Sequence, residues 1–148
     1  MTRWLLVGAA LLAAAGCRKR ELVRVDTTEA KDIPREIAVD KLREVLPTAE
    51  QVICTLPSER LRPSEIKEWT ISSASVQMRV SRGEPFVLPY GDITELRLEK
   101  VSDGRYWVVK VFTSIQTNPG KEHYQFVWKN EESARRALEL FEALRQKM

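Results

Sequence analysis

From Ile66 onward the apolar residues recur every second position, and this period of two governs what the chain can become. Val76, Met78 and Val80 alternate with Gln77 and Arg79, the pattern of a strand with one wet and one buried face. Ile66–Ser72 reads as a strand around Trp69, Pro85–Tyr90 as another, and Ile93–Val101 as a third, with Leu96 and Leu98 facing one way. Ser81–Glu84, Gly91-Asp92, Asp103-Gly104 and Asn118-Pro119-Gly120 separate the strands with turn chemistry, glycine accepting a positive φ where a hairpin needs one. Tyr106–Thr113 is nearly continuous in β-branched and aromatic residues, so it is expected to be the most buried strand. His123–Lys129 puts Tyr124, Phe126 and Trp128 on one face.

After Lys129 the period changes to that of a helix. Asn130 is an N-cap, Glu131 and Glu132 sit at the positive end of the helix dipole, and Arg145 and Lys147 at the negative end. Ala134, Ala137, Leu138, Phe141 and Leu144 form an apolar stripe that must cover something, and the aromatic row of the preceding strand is the nearest candidate. A second helix is expected at Glu36–Leu46, where Ala38, Leu42, Val45 and Leu46 recur at helical spacing and Pro47 ends the run. Gln51–Leu56 is short and apolar, readable as a strand or as a helical turn, and Pro57–Ser64 reads as a loop. The expected class is therefore α+β: a small, bent antiparallel sheet or barrel of six or seven strands, capped by a C-terminal amphipathic helix, with an extra N-terminal helix.

The first residues obey a different logic. Arg3 supplies a charge, Trp4–Ala15 is apolar apart from Gly8, and Ala14-Ala15-Gly16-Cys17 follows. A charged start, an apolar run of roughly a dozen residues and small residues before a cut describe an export signal. The run is shorter than the roughly 20 residues that a settled transmembrane helix needs. The cysteine directly after small residues resembles the lipobox of bacterial lipoproteins. That resemblance implies cleavage after Ala14, Ala15 and Gly16, a diacylglyceryl thioether on Cys17, and often acylation of its new amine. Ala14 departs from the leucine that the family prefers, although Leu11 and Leu12 lie one turn upstream. It further implies a protein held in the cell envelope and facing the periplasm. Arg18, standing where an aspartate resembles an inner-membrane retention signal, favours the outer membrane.

Residues 1–16 are thus read as signal peptide, 17–35 as a lipidated flexible tether, and 36–148 as one α+β domain. The tether reading rests on mixed charge, few apolar residues and Pro34. Arg18-Lys19-Arg20 would lie at the headgroups.

Element order carries a second resemblance. Six or seven antiparallel strands followed by one amphipathic helix is the order of the pleckstrin-homology-like fold. Pro85-Phe86-Val87-Leu88-Pro89-Tyr90-Gly91-Asp92-Ile93 looks like a strand-and-bend segment of bacterial members, and Tyr124-Gln125-Phe126-Val127-Trp128 running into Ser133–Leu144 is similar to their last strand and capping helix. The likeness spans about 66–148 and implies a small bent barrel whose open end the helix plugs. Members mostly bind peptides, proteins or lipids, and fold alone does not fix function. The phosphoinositide site of eukaryotic relatives is not carried over, since Arg79 and Arg82 flank the relevant turn but Glu84 follows and no lysine cluster appears.

Reactive groups are few. Lysine and arginine number 24 against 21 acids, and a formal charge of +3 is too small to imply nucleic-acid binding. With one histidine and two cysteines there is no metal cluster or disulfide framework to build, and no glycine-rich loop to hold a cofactor phosphate. With Cys17 acylated, Cys54 is left unpaired within an apolar stretch, where a thiol acts as a small hydrophobe. His123 has Glu122 and Tyr124 as neighbours and reads as a surface histidine, not as the base of a triad. Asp92, Glu95 and Glu99 read as solvated partners of Arg97 and Lys100. Trp69, Trp107 and Trp128 are candidate walls of a ligand cage, although tryptophans on strands more often belong to the core. Arg135, Arg136 and Arg145, mingled with Glu139 and Glu142, read as ion pairs on a wet helix face and as a candidate partner surface. Together these point to a lipid-anchored, non-catalytic module that binds or scaffolds another envelope protein. The alternative is a carrier or sensor of an apolar ligand, lipid or peptide, held between barrel and helix.

Overall fold

The structure, a computed structural model, describes residues 19–116 and 120–146. Ala14, Ala15, Gly16 and Cys17 lie outside the described residues, as do the centre of the Asn118-Pro119-Gly120 turn and Lys147. The described residues form nine strands and two α-helices. The strands are β1 (Arg20–Val23), β2 (Gln51–Thr55), β3 (Ser58–Leu61), β4 (Ile66–Ile71), β5 (Ser75–Val80), β6 (Phe86–Pro89), β7 (Ile93–Val101), β8 (Tyr106–Gln116) and β9 (Lys121–Trp128). The helices are α1 (Arg35–Val45) and α2 (Glu131–Gln146).

Six strands form one antiparallel sheet in the order β1-β7-β8-β9-β2-β3, and β4-β5-β6 form a second. The barrel expectation is corrected here: the sheets do not close on one another. Two short 3-10 turns explain the split. Pro63–Glu65 separates β3 from β4 and Tyr90–Asp92 separates β6 from β7, so neither junction continues a ladder of hydrogen bonds. Tyr90 fixes the second junction. Its side chain is wholly buried, its hydroxyl donates to the Ser72 carbonyl at 2.8 Å, and its amide donates to that of Ala74 at 3.1 Å.

Strand alternation decides the layers. On the inner face of the six-stranded sheet stand Trp107, Val109 and Val111 of β8 and Tyr124, Phe126 and Trp128 of β9, paired as Trp107↔Trp128, Val109↔Phe126 and Val111↔Tyr124. Helix α2 covers them with the stripe that its spacing requires: Ala134, Ala137, Phe141 and Leu144 are completely buried, and the Phe141 ring lies 5.6 Å from that of Phe126. Asn130 accepts the Ser133 amide at the helix start. Helix α1 packs beside α2, and its Ala38 and Leu42 are completely buried. Its Arg43 donates to the Ile71 carbonyl at the end of β4, at 2.8 Å.

Two segments depart from the expectations above. The tether is the first: Arg20–Val23 pairs with Val101–Leu98 as an edge strand, and Thr28–Asp32 forms a 3-10 turn whose Ala30 is fully buried against the core. Charge and Pro34 suggested a chain without a core, yet Val23, Val25 and Ile33 contribute enough apolar contact to hold it. The second is Pro57–Ser64, where Ser58–Leu61 pairs with β2 as β3, presenting Leu61 to the core opposite Val52. Gln51–Leu56, left open above, is strand β2, and its partner β9 lies far away in sequence.

Candidate functional site

The inner face of the large sheet is filled, but among the described residues no helix or second sheet lies on the outer face. Register brings Val101 of β7, Val108 of β8, Val127 of β9 and Ile53 of β2 together there, with Tyr106 beside them, as a small apolar cluster separate from the main core. Curvature makes this patch the floor of a shallow concavity of about 550 Å³. Around it stand four cations, Arg20, Arg60, Arg62 and Lys129, and one carboxylate, Glu50. Arg62 pairs with Glu65 at 3.2 Å, whereas the side chains of Arg60 and Lys129 have no ion pair or hydrogen bond among the described residues.

Beside the apolar floor runs a polar belt across four strands. Arg20 of β1 donates to Glu99 of β7 and to the amide oxygen of Gln125 on β9, each at 3.1 Å. Glu99 also holds Lys110 of β8 at 3.5 Å and is 9% exposed. Glu99 is therefore not the solvated partner of Lys100 that its spacing suggested. Lys100 points to the other face, its ammonium 5.9 Å from the Trp107 ring. Glu95 pairs with Arg97 as expected, and Asp92 sits in the turn before β7.

At the opposite end of the strands a second concavity, about 610 Å³, opens between the two sheets. Leu56 and Val87 line it and are 47% and 40% exposed. Tyr124 closes its inner wall by donating to the Val87 carbonyl at 3.2 Å, and Glu122 accepts from Thr113 at 2.9 Å. From Val127 at the first concavity to Glu122 at the second is five residues of β9, about 17 Å at strand spacing.

No family model matches this chain, and no curated protein or solved structure is similar enough to it to count as a match.

Of the side chains singled out in the sequence, Trp107 and Trp128 are brought together as cross-strand neighbours, while Trp69 and the arginines of α2 stand on other elements. Trp128 is 2% exposed and donates its indole N–H to Thr48 at 3.0 Å. Trp107 is its buried cross-strand neighbour, and Trp69 lies half-buried on β4 in the other sheet. They form core and wall, not a cage. Along α2, Arg135 pairs with Glu131 at 2.6 Å and Arg136 lies 4.0 Å from Glu132. Arg145 is bound to Glu142 and donates to the Thr94 carbonyl at 3.1 Å, which ties the helix to β7.

Of the reactive groups, Cys54 is buried, and desolvation, helped by the charges of Glu59 and Glu122, pushes its thiol up to about 12. Such a sulfur stays protonated at neutral pH and is a poor nucleophile. His123 is half-buried with its ring 5.0 Å from Phe112, and its nitrogens face the Lys121 carbonyl and the Gln125 amide, neither of which is a carboxylate or a nucleophile. Among the described residues no group of three or more histidine, cysteine or acidic side chains is placed to hold a metal. No helix among them is long and apolar enough to cross a membrane.

The open face was hidden from sequence reasoning because its residues come from four separate strands. One signal was present: Tyr106–Thr113 is apolar at both parities, so one of its two faces had to display Val108.

Proposed function

We propose that this protein is an envelope lipoprotein, fastened by a lipid on Cys17, that catalyses no reaction and holds another envelope protein at the membrane. The observation that carries this reading is polarity of the fold. The chain enters the domain at the end of the large sheet where the Lys19 carbonyl accepts the Ser102 amide, while the apolar cleft of Leu56 and Val87 opens at the other end. A protein anchored at one pole and exposing apolar side chains at the opposite pole is built to present a surface away from its anchor. The outer membrane is the favoured location, on the strength of Arg18. The likeness to the pleckstrin-homology-like fold read from the sequence fits a binding role, although the sheet is open.

Core packing favours this reading over the carrier. The space between helix and sheet is occupied by Phe126, Phe141, Leu138 and Leu144, each at most 5% exposed, so an apolar ligand there would have to displace core side chains.

Palmitate labelling in growing cells tests the anchor: label on the wild type and none on Cys17→Ser is the expected result, and label persisting in the variant overturns it. For the partner, the Leu56→Glu, Val87→Glu double variant is expected to lose a protein that co-purifies with the detergent-solubilised wild type. A companion retained unchanged would remove the cleft from the account.

A further inference from the structure

The shortness of the link between anchor and domain fixes which surface meets the bilayer. Cys17 is two residues from Lys19, whose carbonyl is held by the Ser102 amide at 3.3 Å, and two Cα steps reach at most about 8 Å. Whatever path those residues take, a lipid on Cys17 puts the headgroups beside the start of β1 and the turn between β7 and β8. Arg20, the first residue of β1, is itself part of the rim of the outer concavity. The domain is therefore not held at a distance on a long tether.

We propose that the outer face of the six-stranded sheet lies on the anionic bilayer surface in which the anchor sits, with the rim cations Arg60 and Lys129 on lipid phosphates. This rests on the lipid anchor of the proposed function. Three observations carry the orientation. Arg20 and Arg62 of the rim are paired with Glu99 and Glu65, but the charges of Arg60 and Lys129 are not neutralised by any partner among the described residues and face a single rim carboxylate, Glu50. Leu22, 65% exposed, shares the outward parity of Arg20 on β1, so the edge strand that leads from the anchor also offers an apolar side chain. Tyr106 is half-buried at the rim, an amphipathic ring suited to the headgroup layer. In this orientation the cleft of Leu56 and Val87, between the two sheets at the far end of the strands, stays clear of the lipid.

The test uses the acylated protein purified in detergent from the cells that make it and reconstituted into vesicles of phosphatidylcholine with or without phosphatidylglycerol. Cys54 is buried and its thiol is protonated, so a cysteine introduced at Gln51, on the outer concavity, or at Val87, on the distal cleft, is the one that takes a spin label. The Gln51→Cys label is expected to be shielded from a water-soluble relaxant on the anionic vesicles, and the Val87→Cys label to remain accessible. Arg60→Gln and Lys129→Gln, both exposed and unpaired, are each expected to lower the docked-to-lifted ratio about fivefold, as the loss of one surface cation does. An intact mass taken on the same sample separates the two levels of the argument. If Cys17 carries its lipid and the Gln51 label is nevertheless fully accessible, the orientation is wrong and the anchor stands. If Cys17 is unmodified, the anchor fails and the orientation with it. Shielding that persists without phosphatidylglycerol and grows with protein density would assign the face to a second copy and also overturn the proposal.

Discussion

The two faces of the large sheet use the same strands and almost the same kinds of residue, yet they behave as different materials. Inward, Val109, Phe126 and Trp128 meet α2 and are at most 2% exposed. Outward, Val108 and Val127 are also nearly buried, at 2% and 9%, packed with Val101, Ile53 and Tyr106 in a small cluster on the sheet itself. The inner face is closed by packing. The outer face combines an apolar floor with the Arg20–Glu99–Lys110 belt and two unpaired cations. The sheet thus keeps apolar residues largely dry on a side that no other helix or sheet among the described residues covers.

Substitutions on the two faces should separate these roles. The largest loss is expected inside: Phe141→Ala removes a wholly buried ring that lies tilted against Phe126 and should cost about 3–5 kcal/mol in urea unfolding. A loss under 1 kcal/mol would show that α2 is not packed as described. Next comes the belt, where Glu99→Gln keeps the shape but removes the charge shared by Arg20 and Lys110, with an expected loss of about 2 kcal/mol. If the loss is unaffected by salt, the belt is not electrostatic in origin.

A pH dependence probes the inner face from another direction. Burial raises the Cys54 thiol from 9.0 to about 12, so the folded state holds this proton more tightly than the unfolded state. The stability arising from that difference is complete below pH 9 and is lost as pH rises towards 12. Tyr90 and Tyr124 are raised by burial as well, so the comparison needs Cys54→Ala, whose stability should fall less steeply over the same range than that of the wild type. Parallel slopes would mean that the thiol is wetter than its position indicates. The smallest effect is expected on the helix surface. Arg135→Ala removes an exposed i,i+4 pair with Glu131 and should change stability by no more than about 0.5 kcal/mol.

What could be read from the sequence was local. The six strands with clear alternation or an apolar run, the turn at Asp103-Gly104 and the stripe of α2 are each specified by residues close together in the chain, and the structure has them within a few residues of the expected bounds. Two strands escaped because their evidence is long-range. Arg20–Val23 has no alternation of its own and becomes a strand because the open edge of β7 offers it a ladder. Ser58–Leu61 has one apolar residue, Leu61, and pairs through its tight turn with β2. The division into two sheets depends on the 3-10 turns at Pro63–Glu65 and Tyr90–Asp92, and the second of these is stabilised by the contact of Tyr90 with Ser72, eighteen residues back. The candidate site was the least legible part. Arg20, Arg60 and Lys129 mean nothing as a group until β2 has paired with β9 and β1 with β7.

The most direct measurement is photocrosslinking in intact cells from two positions of the full-length protein, Val87 in the distal cleft and Gln51 on the outer face. The account predicts a discrete protein adduct from Val87 and lipid, without protein, from Gln51. Protein captured only from Gln51, or nothing but monomer from both positions, would contradict a module that is fixed to the membrane by one pole and holds its partner with the other.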